Sequence, residues 1–141
     1  MVLATRNRLR TSTDFSRTVR SGVRNGRRNV VLYAAALAAD EPSRIGFIVS
    51  KSVGNAVVRN LVKRRLREAG ALSLQKYGSG FAIVVRALPA AAGAGWDQLL
   101  WDYDAALETT IKRLGSRLAQ AGSSVSDETT DETTQEGTPR A

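Results

Sequence analysis

Five side chains in one short run have the types and the spacing to grip a phosphate backbone. They are Arg59, Asn60, Lys63, Arg64 and Arg67. On a helix, Arg59, Lys63 and Arg67 fall one turn apart in a single line, with Asn60 and Arg64 beside it. Like charges at this spacing repel, at a cost of roughly a few tenths of a kcal/mol per pair. No acid relieves the line before Glu68. Solvated helix faces usually mix signs, so a face of one sign is suited to a polyanion.

A helix must carry this line, and the surrounding residues supply one. Asn55 can cap its start by accepting a hydrogen bond from a first-turn amide, and Gly70 is a plausible stop. Val57, Val58, Leu61, Val62 and Leu66 form an apolar arc opposite the charges. Arg65 projects into that arc and must either snorkel past the core edge or find a carboxylate. The segment Lys51-Ser52-Val53-Gly54-Asn55 leads in. It is only loosely like a phosphate loop, because the Gly-x-x-x-x-Gly-Lys spacing is missing, though a helix N-terminus can hold a phosphate without it.

Composition narrows the chemistry. The 141 residues suggest one domain with a net charge of +8. The segment after residue 121 holds Asp127, Glu128, Asp131, Glu132 and Glu136 against Arg140. It carries −4 of that total and leaves +12 on residues 1–121. Such a basic body points to nucleic acid, with an anionic membrane surface as the weaker alternative. No apolar segment approaches the ~20 residues of a membrane span, and the N-terminus has no apolar signal-peptide core. The sequence has no Cys and no His. Disulfides, Cys-based zinc sites and His-dependent triads or proton relays are therefore excluded, and the cytoplasm is the expected compartment.

The remaining elements follow in order. Residues 1–10, with Arg6, Arg8 and Arg10, read as a basic, partly extended arm. A short helix starts near Thr11, capped by Ser12 or Thr13, with Phe15 and Val19 on one face and Gly22 at its end. Phe15 reads as a core residue by residue type alone. Val23 to Arg28 reads as a basic loop turning at Asn25-Gly26. Two strands follow, Asn29–Ala38 and Arg44–Lys51, expected to pair as an antiparallel hairpin. Alternation places Val31 and Tyr33 opposite Val30 and Leu32, and Ile45, Phe47 and Val49 opposite Gly46, Ile48 and Ser50. Gly46 leaves a gap where a backbone or ligand could approach.

Phe81–Arg86 is the most apolar strand and belongs inside the sheet. Trp96 to Leu114 reads as a last helix, with Trp96 and Trp101 as packing anchors. Beyond about Gly115 periodicity fades, and Asp127–Ala141 has the composition of a disordered, acidic, Thr-rich tail. Such a tail either raises solubility or mimics nucleic acid. Residues 1–114 are then the folded unit and 115–141 the tail.

The run Ser50-Lys51-x-x-Gly54-Asn55-Ala56-x-x-Arg59-Asn60-x-x-Lys63-Arg64-x-x-Arg67 closely resembles the protein subunit of bacterial ribonuclease P. The order of elements, Asp14-Phe15 and the strand carrying Tyr33 match as well, over roughly residues 5–114. The resemblance implies an α+β fold of the ribosomal S5 domain 2-like type. That fold is a two-layer sandwich of a mixed sheet and three helices, with a left-handed βαβ crossover through the basic helix. It implies a partner, a catalytic RNA subunit expected at 1:1, and a substrate, precursor tRNA, whose 5′ leader is removed. Arg59, Asn60, Lys63, Arg64 and Arg67 would meet the RNA subunit. Phe15, Val19, Tyr33 and, at the edge, Lys51 would line a cleft for the leader. No catalytic side chain, protein-bound metal or cofactor is implied, since Mg²⁺ travels with the RNA. Two positions depart from the family's pattern: Val19, where an aromatic is common, and Arg65, where an apolar residue is usual. The alternative is a structural, ribosomal-type RNA-binding protein with no part in cleavage.

Overall fold

A computed structural model describes residues 4–123. The acidic segment expected to form a tail, Asp127–Ala141, lies outside them. The elements are α1 (Ser12–Ser21), β1 (Val23–Gly26), β2 (Val30–Ala36), β3 (Arg44–Ile48), α2 (Ala56–Ser73), β4 (Phe81–Ala87) and α3 (Trp96–Ser123). The four strands form one sheet in the order β1-β2-β4-β3. β2 is antiparallel to both β1 and β4, while β3 runs parallel to β4. The sheet is therefore mixed, and with three helices it makes an α+β protein.

The expected β2–β3 hairpin does not form. β4, the most apolar strand, enters between them, and its buried residues Ala82, Ile83, Val84 and Val85 fill the sheet's centre. Burial of both faces outweighs the convenience of a local turn. The segment read as a basic loop is instead the edge strand β1, with Asn25 opposite Leu32 and Gly26 opposite Val31. Its turn falls later, where the Arg27 amide donates to the Val30 carbonyl at 2.8 Å.

The alternation expected of β2 and β3 sorts the side chains onto two faces. On one face Val30, Leu32, Ile45, Ile83 and Val85 meet Val62, Leu66 and Ala69 of α2 and Leu99, Tyr103, Ala106, Leu107 and Leu114 of α3. On the other, Leu9, Val31, Tyr33 and Val84 form a smaller cluster with Phe15, Val19, Ile48 and Leu88. Burying a side chain such as Leu66 is worth about 1.5–3 kcal/mol relative to leaving it exposed, so the first cluster carries most of the fold.

Local chemistry sets the helix ends. Thr11 caps α1, its side chain accepting from the Asp14 amide at 3.1 Å. Ser12 and Thr13 already lie inside the helix or at its first residue, so neither acts as the cap. Asn55 caps α2 as expected, accepting from the Val58 amide at 3.0 Å. Gly70 is not a stop, because α2 continues to Ser73. It is a contact point instead: a Cβ there would stand 3.0 Å from Phe47 Cζ, so glycine lets α2 approach β3.

α3 runs past Leu114 to Ser123. The Arg117 guanidinium donates to the Ser21 carbonyl at the end of α1 and ties down the added turns. Among the described residues no helix is long and apolar enough to cross a membrane.

Candidate nucleic-acid interface

The cationic line is real geometry. Asn60, Arg64 and Arg67 are exposed on α2, and Arg59 and Lys63 are half-buried beside them. Arg59 Nε donates to the Gly54 carbonyl at 3.1 Å, so this guanidinium also braces the turn that starts the helix. Val57 does not join the apolar arc. It is 78% exposed, because the buried stripe runs through Val62, Leu66 and Ala69 and Val57 falls on nearly the opposite side of the helix. Arg65 finds a partner that is not a carboxylate: its Nη1 donates to the Ala94 carbonyl at 3.1 Å. The aliphatic stem crosses the core edge and the head binds the loop before α3.

The positions expected to form a cleft gather on the sheet's other face. Phe15 and Val19 descend from α1 onto Tyr33 and Val84. Phe15 and Val19 are half-buried, and Tyr33 is only 9% exposed beneath them. The gap at Gly46 is filled from within the chain, since a Cβ there would lie 2.3 Å from Phe15 Cζ. The Phe15 ring thus rests directly on the β3 backbone, serving packing while one edge stays open. Lys51 lies beyond β3 in a short 3-10 turn, fully on the surface.

The two surfaces meet at the β3 edge. A cavity of about 170 Å³ there is lined by Arg8, Leu9 and Phe15 from the N-terminal side and by Lys63 and Arg67 from α2. The basic arm is part of this wall rather than a loose end. Leu9 donates its amide to the Ile45 carbonyl at 3.1 Å, and Asn7 Nδ2 donates to the Ser43 carbonyl at 2.8 Å. Sequence reasoning missed this role of Arg8. The arm's alternation of Arg8 with buried Leu9 was the available signal.

Trp96 is half-buried, but Trp101 is 73% exposed and is no packing anchor. It borders a separate open cavity of about 630 Å³ with Arg28 and Asp97. The inner stripe of α3 runs through Leu99, Tyr103 and Ala106, and Trp101 lies on the other side of the helix. Among the described residues no three His, Cys, Asp or Glu side chains gather in a way that could hold a metal ion.

The fold and the charge define a class: a small α+β protein with a line of cations along one helix, whose charges border a cleft that Phe15 helps to line. The comparisons with known proteins make this specific. The family model for ribonuclease P matches residues 3–111. A ribonuclease P protein component from Arthrobacter sp. (strain FB24) is 84% identical over 140 residues, covering 99% of this chain and all of that protein. One from Kocuria rhizophila is 56% identical over 112 residues, 79% of this chain and 98% of that protein. Among solved structures, the Staphylococcus aureus RNase P protein superposes with a TM-score of 0.66 at 28% identity, covering 73% of this chain and 94% of that one. The Thermotoga maritima RNase P protein gives 0.63 at 25% identity, covering 74% and 96%. The chain belongs to the ribonuclease P protein family.

Proposed function

We propose that the chain works as the non-catalytic subunit of a cytoplasmic ribonucleoprotein endonuclease. It pairs 1:1 with a catalytic RNA and helps that RNA remove the 5′ leader of precursor tRNA. The observation that carries the proposal is the cavity at the β3 edge, where Lys63 and Arg67 of the cationic helix and Phe15 of the cleft line one space. A surface that binds folded RNA and a surface that takes a single strand are continuous there.

The division of labour follows from side-chain chemistry. Protein-based phosphodiester cleavage generally uses a general base or clustered metal-binding acids. The sequence has no His, and Asp97, Asp102, Asp104 and Glu108 are spread along α3 away from the cationic line. Mg²⁺ ions are assigned to the RNA partner. The chain's own residues neutralise phosphates through Arg59, Asn60, Lys63, Arg64 and Arg67. They hold the leader along Phe15, Val19, Tyr33 and Lys51. A base stacked on the open edge of Phe15 gains about 1–3 kcal/mol with little sequence preference, which suits leaders of differing sequence.

Reconstitution tests the proposal. Catalytic RNA and precursor tRNA are combined at low Mg²⁺ with and without the chain. A large gain in cleavage with the chain is expected. RNA binding without any gain would favour the structural, ribosomal-type alternative, and cleavage by the chain without RNA would overturn the division of labour.

A further inference from the structure

β4 carries one charge in the middle of an apolar floor. Arg86 is exposed on this central strand. Alternation puts it on the same face as Val84, the cleft face. Its cross-strand neighbours are Val31 on β2 and Ile48 on β3. Along its own strand it stands between Val84 and Leu88. All four neighbours belong to the cluster that Phe15 and Val19 pack against. No carboxylate among the described residues lies within ion-pair distance of Arg86. Lys51 follows β3 at the same end of the sheet, beyond Ile48.

We propose that Arg86 binds a phosphate of the single strand held in the cleft, so that the sheet floor itself supplies a contact between the Phe15 end and Lys51. This rests on the leader-binding role proposed above and adds a residue to it. The stem of an arginine can lie over Val31 and Ile48 while its planar head stays in water. That head presents paired N–H donors that match a phosphate in a fixed orientation. The half-buried Ile48 and Leu88 beside it give sugars and bases an apolar surface, and one cation among them sets where the backbone runs. The competing role is simpler: Arg86 shields the apolar floor from water and touches no ligand.

The two roles separate by experiment with the full chain reconstituted with its catalytic RNA. Arg86→Met keeps an apolar stem of similar length over the floor and removes the charge, while Arg86→Lys keeps the charge. Affinities are measured for tRNA with a leader and for mature tRNA across a salt series. The expected result for Arg86→Met is about tenfold weaker binding of the leader-bearing substrate. Its salt slope should fall by about one, and mature tRNA binding should be unchanged. Arg86→Lys is expected to keep the salt slope. Unchanged leader binding with an intact slope in Arg86→Met would overturn the inference, as would equal weakening for both substrates. If the unsubstituted complex binds both substrates alike, the leader-binding role itself fails, and that result is distinct from either of the others.

Discussion

Replacing Gly46 by alanine tests whether the cleft depends on a side chain that is absent. An added Cβ would stand 2.3 Å from Phe15 Cζ, 2.5 Å from Phe15 Cε1 and 3.1 Å from Leu9 Cβ. Carbon atoms in contact rest at about 3.5–4.0 Å, so something must withdraw by about 1 Å or more. The β3 backbone is held by its pairing with β4 from Arg44 to Ile48 and by the Leu9 amide on Ile45. The Phe15 ring, only half-buried, is the part that yields. Losing half the burial of a phenyl ring costs about 1 kcal/mol, and residual crowding adds about 1 kcal/mol. Alanine in place of glycine in a strand returns roughly 0.5–1 kcal/mol. The net expectation for Gly46→Ala is a destabilisation of about 1–1.5 kcal/mol, measured by denaturant unfolding. The decisive comparison is the same substitution in a Phe15→Ala background, where only the 3.1 Å approach to Leu9 Cβ remains and the change should be close to neutral. An equal loss in both backgrounds would refute the contact as the cause. Gly46→Ala should also weaken leader-bearing substrate more than mature tRNA, because the displaced ring leaves its place in the cleft.

Three further predictions concern separate parts of the molecule. Arg64→Ala, at an exposed position with no role in the core, should lower the salt slope of RNA-subunit binding by about one while unfolding is unchanged; an intact slope would mean that Arg64 touches no phosphate. Tyr103 is fully buried and its hydroxyl shares a 3.0 Å hydrogen bond with Ser73 Oγ. Because Ser73 Oγ can still donate to the Gly70 carbonyl at 2.7 Å, Tyr103→Phe should cost only about 1 kcal/mol, and a loss several times larger in denaturant unfolding would show a wider network. Desolvation in the groove between α2 and α3 pushes the Asp104 carboxyl above its ordinary value, with Lys76 opposing the shift. A raised folded value means that the native state holds the proton more tightly, so this group opposes folding when ionised, and the penalty fades as pH falls through the carboxylate range. Asp104→Asn should therefore raise the melting temperature slightly at neutral pH and leave it unchanged in acid; a difference that grows on acidification would reverse the assignment.

Local patterns were legible in the sequence where the physics is local. Strand alternation separated Val31 and Tyr33 from Val30 and Leu32, and both pairs face as expected. The Asn55 cap depends on an amide three residues away and was readable for the same reason. Contacts between distant segments were not legible. Arg65 is anchored by a carbonyl 29 residues later, which no periodicity announces. The position of β4 between β2 and β3 follows from burying both faces of one strand, and adjacent strands in sequence suggest a hairpin instead. By sequence alone Arg86 reads as the mere end of an apolar run. The clue to it was a single charge inside Val84-Val85-Arg86-Ala87-Leu88, but its meaning needed the neighbouring strands.

Sheet order and chain order disagree in this protein, and that has a consequence during synthesis. β4 is made after β2, β3 and α2, yet it is the strand to which both β2 and β3 pair. β1 and β2 can zip together as soon as they leave the ribosome, whereas β3 must wait for its main partner. For that interval the nascent chain displays the positive charges of α2 with no scaffold to aim them. Non-local pairing of this kind is slow relative to helix formation. A fragment ending before Phe81 would therefore attract polyanions without being able to choose among them.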